Sequence, residues 1–76
     1  MNYLILIFQS THHVLKAEKF LLSNGIKLDI IPTPKDITSE CGISIRINPL
    51  ITDKQHVASL LNDCNIAFEL FEKEMQ

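Results

Sequence analysis

The chain has 76 residues, 46% of them hydrophobic and 21% charged, with a formal net charge of -2. That is one globular domain, 1–76, near the size at which a single core becomes marginal and a second copy is a common source of extra burial. Nucleic acid is not an expected partner, because phosphate binding needs a clustered basic face and the seven Lys and Arg residues are spread along the chain.

Tyr3 to Phe8 is a continuous apolar run, as in a central strand covered on both faces. It has no positive flank or small-residue cleavage site and is far shorter than a membrane span. A cytoplasmic chain with reduced thiols and no membrane association is therefore expected. Ser10 or Thr11 suits the N-cap of a helix that turns Val14, Ala17, Phe20 and Leu21 inward. Asn24-Gly25 closes that helix, and Lys27 to Ile31 alternates as a second strand stopped by Pro32, with Leu28 and Ile30 on one face.

The stretch from Pro32 to Gly42 has no helical or strand period and ends on a cysteine. Beyond it, Ile43, Ile45 and Ile47 alternate with Ser44 and Arg46 as a half-buried strand ended by Asn48-Pro49. Thr52 to Gln55 reads as a capping box with Thr52 as N-cap, opening a helix that buries Val57, Ala58, Leu60 and Leu61. Asn65 takes the place of Gly25, Ile66 to Phe71 is a last strand, and Glu72 to Gln76 is a polar, frayed tail. Leu21 to Ile26 echoes Leu60 to Ile66 with one residue inserted. The order β-α-β-β-α-β predicts an α+β, ferredoxin-like sandwich: a four-stranded antiparallel sheet with two helices on one face.

That topology puts the end of the first strand, the start of the first helix and the start of the third strand on one edge of the sheet. Cys41-Gly42 should then lie near Ser10-Thr11-His12-His13. Cys41 is either a small buried hydrophobe or a thiol activated by a helix N-terminus and an imidazole. Gly42 either allows close approach to the thiol or serves a positive-φ turn. Adjacent helical residues point about 100° apart, so at most one of His12 and His13 faces the loop. Arg46 can hold an anion or pair across the sheet with Asp29 or Glu69. The amides before Cys41, around Pro34 and Lys35, are candidates for an anion-binding nest. Cys64 reads as structural and His56 as solvated. Two cysteines without paired ligand spacing suggest neither a disulfide framework nor structural zinc, and no cofactor is expected.

Phe8-Gln9-Ser10-Thr11-His12-His13-Val14, Gly25-Ile26, Pro32-Thr33-Pro34-Lys35 and Ser39-Glu40-Cys41-Gly42 together resemble a family of very small bacterial proteins described as selenium/sulfur carrier-like. The likeness runs from Tyr3 to about Phe71. It implies a carrier rather than a turnover enzyme, with Cys41 accepting a sulfur or selenium atom from a donor protein and passing it to an acceptor. His12, which follows Ser10-Thr11, would tune the thiol or shuttle protons. Ser10, Thr11, His13, Pro34, Lys35, Ser39, Gly42 and Arg46 are the candidate binding residues. Asn65 departs from a glycine common at the second helix end, and the prolines precede the cysteine, unlike the Cys-Pro-x-Pro sulfur carriers. The rival readings are a small dimeric module binding a metabolite, or a metal through His12, His13 and Cys41, and an interaction subunit without chemistry. A homodimer through the open sheet face or an edge strand is expected.

Overall fold

The computed structural model describes residues 2–37 and 41–74. Six elements follow in the expected order: β1 (Asn2–Ile7), α1 (Thr11–Ser23), β2 (Asp29–Pro32), β3 (Ile43–Ile47), α2 (Lys54–Asp63) and β4 (Glu69–Glu74). The strands form one sheet in the order β2-β3-β1-β4, and every neighbouring pair is antiparallel. This is the α+β, ferredoxin-like arrangement.

Register decides which side chains meet the helices. Leu4 pairs with Ile47 and Leu6 with Ile45, so these four share one face. They join Val14, Ala17 and Leu21 of α1 and Val57 and Leu61 of α2 in a single buried cluster. Both helices therefore cover the same side of the sheet, each through an apolar stripe at three- and four-residue spacing. Ala58 and Leu60 are only half-buried, and α2 meets the core chiefly through Val57 and Leu61.

The opposite face carries Tyr3, Ile5, Ile7, Asp29, Ser44, Arg46 and Lys73. It holds no helix, yet Ile5 and Ser44 have no accessible surface and Ile7 is nearly covered. An alternating strand predicts Ser44 in solvent, and the chain between β2 and β3 accounts for the difference. Asp36 of that connection forms a close ion pair with Lys73 on β4, the far edge strand. Residues 33–36 therefore reach over the open face, and the Thr33 hydroxyl lies on that of Ser44. The hydrogen-bonded Lys73 ammonium, with help from Asp36's own backbone N–H, holds the Asp36 carboxyl below its ordinary 3.8.

Both helices end in Schellman motifs. Ile26 N–H reaches Leu21 C=O and Gly25 N–H reaches Leu22; Ile66 reaches Leu61 and Asn65 reaches Asn62 in the same pattern. Leu21 and Leu61, Gly25 and Asn65, and Ile26 and Ile66 correspond at one constant offset, so no inserted residue separates the two helix ends. The α2 start differs from the expected capping box. Asp53 is the N-cap, its carboxylate accepting from Gln55 N–H at 3.4 Å. Thr52 is instead buried, because the chain winds around Asn48, whose carbonyl accepts from both Ile51 and Thr52. The last strand starts later and runs further than its apolar residues suggest. Ile66 is drawn into the core by the helix cap, while Glu72 to Glu74 pair with β1 despite their polarity.

Candidate functional site

Ser10 is the N-cap of α1. Its Oγ accepts from the His13 backbone N–H at 3.3 Å and lies 2.6 Å from Nδ1 of the same histidine. The hydroxyl can donate to Nδ1 or accept from it, according to the imidazole tautomer. Because Ser10 rather than Thr11 is the cap, Thr11 becomes the first helical residue, and its side chain is the one that turns toward β3. Thr11 Oγ1 lies 3.8 Å from Cys41 Sγ, within hydrogen-bonding reach of sulfur. The edge predicted to unite the two segments does so.

The thiol sits inside the fold. Cys41 is 3% exposed and belongs to the main core cluster, while Cys64, at the C-cap of α2, is half-buried; both are free of disulfides. The backbone of Cys41 is fixed by Thr33. The Thr33 O–H donates to Cys41 C=O at 2.9 Å, Ser44 Oγ lies 2.7 Å from Thr33 Oγ1, and Thr33 N–H donates to Gly42 C=O at 3.0 Å. Since the threonine proton is spent on Cys41, Ser44 is the donor to Thr33. Thr33 and Ser44 were not among the sequence candidates. The available signal was Thr33 itself, a hydroxyl fixed between two prolines and opposite Gly42 once the hairpin register is known.

His12 is exposed, with its ring edge-on to that of His13 at 6.2 Å between centroids. Gly42 is exposed, does not have positive φ, and a Cβ there would meet nothing within 4 Å. The positive-φ turn role is thereby overturned, and the space where a side chain would stand at Gly42 is open. Pro34 and Lys35 form a turn closed by Ile37 N–H to Pro34 C=O at 3.0 Å, with Lys35 exposed at its tip. Ser39 lies outside the described residues. Arg46 belongs elsewhere: it pairs with Asp29 at 3.0 Å, the cross-strand partner expected for it. It lies five residues beyond Cys41, about 16 Å away along extended backbone.

Among the described residues no group of three His, Cys, Asp or Glu side chains is arranged to hold a metal. Nor is any helix among them long and apolar enough to cross a membrane.

Residues 3–73 match the model of the family described as "Putative Se/S carrier protein-like". The chain belongs to that family. No curated protein and no solved structure matches it. Family membership covers both arms of the site in this carrier-like chain, the first turn of α1 and the mouth of β3.

Proposed function

We propose that Cys41 carries a sulfur or selenium atom between two partner proteins. The observation that supports this best is the contact of Cys41 Sγ with Thr11 at the first turn of α1, in a chain of the carrier-like family. A hydroxyl there can donate to the thiolate form of the sulfur and accept from the thiol form, so it suits both ends of an exchange.

The chemistry is thiol exchange without net oxidation. The Cys41 thiolate attacks the outer sulfur of a donor persulfide. A new S–S bond forms on Cys41, the donor's S–S bond breaks, and its electron pair leaves on the donor thiolate. The proton given up by Cys41 passes to that thiolate through water or the exposed His12. Delivery is the same exchange with an acceptor thiolate as attacker. Selenium held between two thiols enters similarly: attack on selenium breaks one Se–S bond and releases one thiolate.

Burial of Cys41 gives this carrier a particular character. A sulfur atom bound there is shielded from bulk thiols, and transfer takes place in a docked complex that uncovers the sulfur. Gly42, exposed and without a side chain, keeps the neighbouring surface clear for the partner.

Intact-mass measurement after incubation with a cysteine desulfurase and cysteine tests the reading. The expected result is a gain of one sulfur atom, lost in Cys41→Ser and kept in Cys64→Ser. A wild-type protein that gains nothing, or gains sulfur on Cys64 alone, overturns it.

A further inference from the structure

At the end of the sheet away from Cys41, a cavity of about 260 Å³ opens between Tyr3, Lys27, Asp29, Arg46, Asn48 and Ile51. Tyr3 comes from the start of β1, Lys27 and Asp29 from the entry to β2, and the rest from the end of β3 and the chain that follows. We propose that this cavity binds a small organic monocarboxylate. The site is separate from the carrier reading and does not depend on it.

Arg46 is the anchoring group. Its guanidinium is held in place from two sides, by the bond from Nη2 to Asp29 and by the Tyr3 ring, whose centroid lies 5.0 Å from the guanidinium carbon. A guanidinium has five N–H donors. The bond to Asp29 uses one, and the buried Nε–H has no partner among the described residues. The side chain remains 26% exposed and lines the cavity, with donors beyond the one bonded to Asp29. A planar fork with spare donors matches a carboxylate in particular. Asn48 adds to the wall: its Oδ1 is committed to Leu50 N–H at 2.9 Å, which fixes the amide and leaves its NH₂ as a donor.

Charge and size narrow the ligand. Arg46 and Lys27 are positive and Asp29 negative, giving the cavity one net positive charge on a chain whose total is -2. One negative charge balances it, whereas a dianion leaves an excess negative charge beside the Asp29 carboxylate. Ile51, 63% exposed, and Leu28 offer apolar surface to the body of an organic acid, which an inorganic anion lacks. The volume falls just below the range of about 300–1,000 Å³ found for drug-sized ligands. A small acid fits.

Titration with benzoate, followed by NMR at Arg46 Nε–H and at the backbone amides of Leu28 and Asn48, tests the site at matched ionic strength. Saturable shifts in the millimolar range are expected. Sulfate should bind at least severalfold more weakly, Arg46→Gln should remove the shifts, and Cys41→Ser should leave the benzoate affinity unchanged. Lys27 is exposed, so Lys27→Glu keeps the fold and should weaken benzoate severalfold whatever Arg46→Gln does to stability. No saturable shift in the wild type overturns the proposal. So does an affinity that Lys27→Glu leaves unchanged, or sulfate binding as tightly as benzoate.

Discussion

Asn65 has a backbone φ of 58°, in the region that glycine occupies freely and other residues do not. Gly25 stands at the same place in the first helix end, with φ at 78°. A Cβ at Gly25 would meet nothing within 4 Å, so the cost of adding one is conformational rather than steric crowding by neighbours. The two positions should thus respond in opposite directions. Gly25→Ala is expected to lose about 1–2 kcal/mol and Asn65→Gly to gain up to about 1 kcal/mol. Urea midpoints at unchanged slope read both. A neutral Gly25→Ala would mean that the chain finds another way to end α1. The same scale shows what sequence could tell about the thiol. Ser10, Thr11 and Cys41 were legible as neighbours because chain topology alone brings their segments to one edge. Which first-turn side chain meets the sulfur was not, because helical phase depends on whether Ser10 or Thr11 is the cap. The histidines are the more conspicuous residues of that turn, yet the contact with sulfur belongs to Thr11.

Elements were legible in kind and order, and less so where one element reaches over another. The alternation of β3 gives its helix-facing isoleucines correctly. It cannot reveal that residues 33–36 reach over the opposite face, since the tie between Asp36 and Lys73 joins residues 37 positions apart. That tie has a pH dependence. The Asp36 carboxyl lies below its ordinary value in the folded state, so its stabilising contribution is complete above the unfolded value of 3.8 and fades as pH falls through that window. Asp36→Asn should therefore be less stable than wild type near about pH 7, with the gap narrowing as pH falls below 3.8. The effect is small, because the pair is exposed, and added salt should shrink it further. Urea midpoints of both proteins across this range measure it. A gap that stays constant with pH would show that the substitution acts through something other than the lost charge.

The molecule as a whole is two similar halves built on one core. Each half contributes a strand, a helix and a Schellman-capped return, and Leu21 and Leu61 are the corresponding anchors, both without accessible surface. Yet the halves do not pack separately. Leu4 and Leu6 of the first half and Ile45 and Ile47 of the second lie side by side in the sheet, and both helices rest on that shared apolar surface. Unfolding one half strips the other of its cover. Truncating either anchor should then destabilise the entire chain by a similar amount, about 2–5 kcal/mol for Leu→Ala in a core. At about 0.05–0.15 kcal/mol per residue, total stability is about 4–11 kcal/mol, so either substitution removes a large share of it. Leu21→Ala and Leu61→Ala should each shift one cooperative transition, with far-ultraviolet circular dichroism and Tyr3 fluorescence moving together. Two separated transitions, or an effect confined to the half that carries the substitution, would show that the halves fold independently and that the common core does not couple them.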